Sequence, residues 1–117
     1  MRNNIKIGKY GEDVAIRYLL KNNYKILERN FRCKQGEIDI IANDKNEMVF
    51  IEVKTRSNLN YGTPAQAVDY NKMNHIYKSA NVYLKLKKVK DIIVRFDIIE
   101  VYIQNNMCKV VQLKQVV

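Results

Sequence analysis

The 117-residue sequence has only two cysteines, one histidine and one proline, no tryptophan, and no apolar run long enough to cross a bilayer. Cys33 and Cys108 lie far apart and, with His75, match no spacing used by a zinc site. Each is therefore read as an ordinary core or surface residue. The opening stretch MRNNIKIGKYG is basic but lacks the apolar segment of a secretory signal, and neither end carries a lipidation signal. A reducing cytoplasm is the expected setting, with no membrane partner. Without internal repeats, low-complexity segments or linkers, one domain over 1–117 is expected.

Acidic residues are the minority charge: 12 Asp and Glu stand against 21 Lys and Arg, a formal net charge of +9. Such an excess favours a polyanionic partner, nucleic acid above all, although small basic proteins also use charge for solubility alone. Hydrophobic content of 47% and charged content of 28% describe a globular chain and exclude general disorder.

From Gly8 to Asn23, Val14, Ala15, Tyr18 and Leu19 recur at helical spacing until KNN ends the pattern, with Glu12 on the edge of that face. YKILERNF (24–31), GEIDIIA (36–42) and MVFIEVK (48–54) read as three strands, the last two joined by the loop NDKNE, and together they suggest an antiparallel meander. A second helical region opens at Thr63 and Pro64, where Thr63 and Gln66 have the form of a capping box; Asp69 is a second candidate start. Met73, Ile76, Tyr77, Ala80, Tyr83 and Leu84 then share a core-facing stripe, with Lys72, His75, Lys78 and Lys85 on the other face. A strand over 91–103, the turn QNN and a partner strand over 107–114 complete the order α, β, β, β, α, β, β.

Two of these strands carry acids in their middles. Alternation puts Glu37 and Asp39 on one face of theirs and Phe50, Glu52 and Lys54 on one face of the next. If Asp44 to Glu47 form the loop, Asp39 falls opposite Glu52 and Glu37 opposite Lys54, while Ile38, Ile40, Ile51 and Val53 make the reverse face wholly apolar. Like charges opposite one another destabilise a sheet by roughly 0.2 to 1 kcal/mol when exposed and by more when desolvated. A hard divalent cation would offset that cost, and Lys54 beside it would suit a phosphodiester substrate. The competing reading is a solvated face of weak ion pairs among Glu37, Glu52, Lys54 and Arg56.

The segments GKYGEDVAIRYL, NFRCKQGEIDIIA, VFIEVKTR, YGTPAQAV with the following Lys72, and RFDIIEV, which together span nearly the whole chain, resemble the YraN-like family of predicted endonucleases, relatives of Holliday-junction resolvases in the PD-(D/E)xK nuclease superfamily. The resemblance implies an α/β, restriction-endonuclease-like αβββαβ core, a mixed central sheet flanked by helices, with a C-terminal strand added. It implies an endonuclease that hydrolyses nucleic acid, DNA and branched DNA in particular, using Mg²⁺ or its substitute Mn²⁺; dimerisation is a further implication. Asp39, Glu52 and Lys54 match the superfamily's two metal-binding acids and its lysine, and Glu12 matches the helical acid of related resolvases. Ile38 stands where the superfamily's name has proline. In this reading Asp39, Glu52, the Val53 carbonyl and Glu12 hold the metal, Lys54 positions or activates water, and Arg32, Lys34, Arg56 and Lys72 contact phosphates. Gln66 and Tyr70 form a Q-x-x-x-Y similar to one in exonuclease-like branches, which would add Gln66 to the nucleic-acid contacts; a capping glutamine and a core tyrosine are the plainer reading. The alternative to a nuclease is a non-catalytic nucleic-acid-binding protein of the same fold.

Overall fold

The computed structural model describes residues 2–56 and 70–116, with side chains from residue 7 onward. Its elements are α1 (Arg2–Lys21), β1 (Lys25–Cys33), β2 (Gly36–Asp44), β3 (Glu47–Arg56), α2 (Tyr70–Leu86), β4 (Ile93–Gln104) and β5 (Met107–Leu113). The predicted order holds, and with it the αβββαβ core and the added C-terminal strand. The capping box of Thr63, Pro64 and Gln66, and Asp69 as a helix start, lie outside the described residues.

Both helices stop in the same way. At the end of α1 the Asn23 and Tyr24 amides donate to the Leu20 and Leu19 carbonyls, and Asn23 takes the left-handed conformation (φ 68°). At the end of α2 the Lys88 and Val89 amides donate to Lys85 and Leu84, with Lys88 left-handed (φ 55°). These crossed bonds satisfy carbonyls that a helix end otherwise leaves open. Asn23 tolerates the conformation readily, whereas at Lys88 it is held by the surrounding bonds.

The sheet runs β1-β2-β3-β4-β5, antiparallel except for the parallel pair β3 and β4 that α2 connects. Left-handed Asn105 and Asn106 form the two-residue turn between β4 and β5, the backbone sign such hairpins need. The β2–β3 register pairs Asp44 with Glu47 and Ile40 with Ile51, as the sequence predicts, but the described ladder ends at Ile40. Asp39 and Glu52, like Glu37 and Lys54, are therefore aligned without being paired.

α1 and α2 cover opposite faces. Val14, Ala15 and Leu19 bury against Ile40, Ala42, Val49, Ile51, Ile99 and Val101; Met73, Ile76, Ala80 and Tyr83 bury against Ile38, Ile41, Met48 and Phe50. Full burial of a side chain such as Leu19 contributes about 1.5 to 3 kcal/mol. Ile38 is a correction: it belongs to the α2 face, not to the face of Ile40. The cause lies in the neighbouring strand. Arg29 on β1 reaches Asp13 on α1, whereas Phe31 meets the Tyr83 ring of α2 edge-on at 5.2 Å, and left-handed Asn30 (φ 53°) stands between them. Since Arg29 pairs with Ile40 and Phe31 with Ile38, both strands exchange faces at Asn30 and Asp39.

Away from this irregularity the sheet closes on a buried ionic network. The Arg95 guanidinium donates to Asp97, Asp44, Glu47 and the Tyr24 hydroxyl, and Gln112 and the Gln115 amide complete the shell of Asp97. Desolvation opposes the charge on Arg95, but the surrounding oxygens outweigh it and hold the guanidinium firmly protonated.

Candidate functional site

Beyond Ile40 and Ile51 the described β2–β3 ladder gives way to a side-chain substitute: the Val53 amide donates to Asp39 Oδ2 at 2.8 Å. The face exchange makes this possible, because it turns Asp39 along the sheet toward β3 instead of into either layer. Its carboxyl is half-buried. Burial pushes its pKa up to about 6; the Val53 hydrogen bond and Lys72 oppose the rise, and the negative charges of Glu12 and Glu52 add to it.

Glu12 approaches from α1. That helix lies so close to β3 that a Cβ on Gly11 would collide with the Thr55 side chain. Glycine at position 11 thus sets how near Glu12 comes to the sheet. Arg29 holds Glu12 at 3.7 Å and Asp13 at 2.9 Å, drawing two neighbouring carboxylates to one cation. A cleft of about 340 Å³ opens here, lined by Ile7, Gly8, Glu12, Asp39, Val53, Thr55 and Lys72.

Glu52 lies on the α2 side and is nearly buried, at 5% side-chain exposure. Two ammonium groups meet it: Lys54 Nζ at 3.4 Å from Oε2 and Lys72 Nζ at 2.8 Å from Oε1. Burial pulls the Lys72 pKa down, but Glu52, Asp39 and Glu37 more than compensate and the ammonium is held. The acids do not share one face of the sheet, as simple alternation predicts. Glu12 comes from one face, Glu52 from the other, and Asp39 lies at the opening between them.

The expected basic contacts are largely engaged with carboxylates. Arg32 pairs with Glu37 at 3.2 Å on the surface, Arg56 with Glu100 at 3.3 Å, and Lys72 with Glu52 as above. Lys34 is exposed on the β1–β2 turn, and Gln66 lies outside the described residues. Two residues escaped the sequence reading. Arg29 carried a signal, a cation in mid-strand one element after the Glu12-Asp13 pair. Glu100 carried one too, as an acid amid the apolar run of β4: it is fully buried beside Lys54 in the β3–β4 register, with Arg56 on Oε2 and Oε1 without a hydrogen-bond partner among the described residues.

The donor set of Asp39, Glu52, Glu12 and the Val53 carbonyl is all oxygen, the chemistry of a hard divalent cation rather than of zinc or copper. Among the described residues no three Asp, Glu, His or Cys side chains are drawn together as ligands to one ion. The positive charge beside Glu52 is supplied by Lys54 and Lys72. The residues fit such a cation in kind and in carboxylate charge, and burial, with Glu12 and Glu52 adding to it, disfavours the bare negative charge on Asp39. Among the described residues no helix is long and apolar enough to cross a membrane.

Comparison with known proteins agrees on one family. Residues 11–101 match the model of the family described as Uncharacterised protein family UPF0102. A UPF0102 protein of Caldanaerobacter subterraneus subsp. tengcongensis is 54% identical over 97 residues, 83% of this chain and 80% of its own length. A UPF0102 protein of Clostridium botulinum strain Loch Maree is 54% identical over 99 residues, 84% of this chain and 80% of its own. The matched span includes Glu12, Asp39, Glu52, Lys54, Lys72 and Glu100, and the chain belongs to the UPF0102 family.

Proposed function

We propose that this chain is a metal-dependent endonuclease that hydrolyses phosphodiester bonds in nucleic acid, DNA first among substrates, at the cleft between α1 and the open end of β2 and β3. The observation that carries the reading is Asp39: a carboxylate with a pKa raised to about 6, fixed on the Val53 amide between Glu12 and Glu52, with Lys54 at 3.4 Å from Glu52. Strongly perturbed acids in a cleft cluster at functional sites.

Asp39, Glu52 and the Val53 carbonyl, with Glu12, would hold Mg²⁺ or Mn²⁺. When bound, such a cation supplies Lewis-acid polarisation of a phosphoryl oxygen and makes a nucleophile available near neutral pH. Lys54 then has two tasks, orienting the attacking water and stabilising the negative charge that grows on the phosphate. Arg32, Lys34, Arg56 and Lys72 give contacts along the phosphate backbone, which confer affinity and salt dependence rather than sequence preference. The resemblance to Holliday-junction resolvases adds branched DNA to the substrates worth testing.

A second reading, nucleic-acid binding without turnover, has its own support: the acids are not gathered as ligands in this structure, and Glu52 is already met by two lysines. The test is a cleavage assay over duplex, single-stranded and branched DNA and RNA with Mg²⁺, comparing the wild type with Lys54→Ala. Cleavage by the wild type, reduced about a hundredfold or more in the variant with binding retained, is expected. Binding indifferent to metal, with no cleavage of any substrate, would favour the second reading.

A further inference from the structure

Lys72 was expected on the surface, meeting phosphate. Its ammonium instead turns inward to Glu52 Oε1 at 2.8 Å, although its side chain is still 55% exposed and the partner carboxylate only 5%. The asymmetry is informative. A nearly buried carboxylate needs a cation close by, and removing one from such a pair leaves an uncompensated charge. The lysine, whose flexible side chain is 55% exposed, loses less than the carboxylate when the pair opens.

We infer that Lys72 is the resident counter-ion of the metal-free site, one that a divalent cation displaces from Glu52, and that the displaced ammonium becomes a phosphate contact at the cleft rim. The inference rests on the hydrolytic reading above. Its physical basis is competition: Lys72 also feels Asp39 and Glu37, so it sits in the same negative field that would draw a dication. Glu52 already meets two ammonium groups, so a dication there competes with both, and Lys72, with its side chain 55% exposed against 20% for Lys54, is the one that leaves more readily. A doubly charged ion on Glu52 and Asp39 would repel the ammonium toward the cleft that Lys72 already lines. The metal and Lys72 therefore oppose one another at Glu52, while the metal and nucleic acid help one another through Lys72.

The test is calorimetric titration of Mn²⁺, without nucleic acid, into the wild type, Lys72→Met and Lys72→Arg, with thermal melts of each. Lys72→Met keeps the apolar stem and removes the competitor, so it should bind Mn²⁺ roughly fivefold or more tightly than the wild type. Without metal it should melt below the wild type, and saturating Mn²⁺ should close that gap, which a merely structural salt bridge would not allow. Lys72→Arg should behave like the wild type, and it keeps the comparison decisive if Lys72→Met folds poorly. Saturable wild-type binding with equal or weaker affinity in Lys72→Met would overturn the inference and leave the hydrolytic reading standing. Absence of Mn²⁺ binding in every variant would overturn both.

Discussion

Asp39 shows how one side chain can be badly placed for stability and well placed for chemistry. Its pKa of about 6 lies above the value of an exposed aspartate, so the folded state prefers the protonated form. The stability contributed by that preference is complete below about pH 4 and is lost as the pH rises through about 6. Metal-free Asp39→Asn should therefore melt close to the wild type near pH 4 and above it at pH 8, by something on the order of 2 kcal/mol. Asparagine can still accept the Val53 amide. Thermal melts across that range check the prediction, and a variant that unfolds, or a difference that does not grow with pH, would make Asp39 a structural acid. The residue types of the site were legible as a pattern, since acids recurring in apolar strands stand out against alternation. Their partners were not: Lys72 on Glu52 and Arg29 on Glu12 depend on how helices lie across the sheet, which no spacing in the chain encodes.

At the scale of elements, periodicity carried far. Helical faces and the Asp44–Glu47 register follow from apolar spacing and from a short loop that admits few alignments. What escaped was the exchange of faces at Asn30 and Asp39, because alternation extrapolates through a strand and one left-handed residue breaks its phase. Asn30, a residue type that tolerates that conformation, between charged Arg29 and aromatic Phe31 was the available hint. The approach of α1 to β3 makes a sharp prediction with two glycines. Alanine is the better helix former by about 1 kcal/mol, so Gly8→Ala, whose added Cβ meets nothing within 4 Å, should raise the melting temperature. Gly11→Ala should lower it, since its Cβ would strike Thr55 and overpacking costs about 1 to 3 kcal/mol. Circular dichroism melts of the pair decide the matter; a gain at position 11 would mean that α1 does not depend on that contact.

Across the whole molecule, two regions of the sheet treat charge in opposite ways. Around Arg95 the charges are fully paired, with guanidinium, carboxylates, Tyr24 and Gln112 satisfying one another, an arrangement that holds β2, β3, β4 and the start of β1 in one geometry. Around Asp39 three carboxylates converge, Glu12 met by Arg29, Glu52 by Lys54 and Lys72, and Asp39 by the Val53 amide, within a chain whose overall charge is strongly positive. A rigid scaffold carrying a cleft of converging carboxylates is the combination expected of a site that takes a cation and then a polyanion. The account therefore stands on metal binding at Asp39. Titration of Mn²⁺ into the wild type and Asp39→Asn should give saturable binding in the first and affinity weaker by about tenfold or more in the second; equal binding by the two proteins, or none by the wild type, would contradict it.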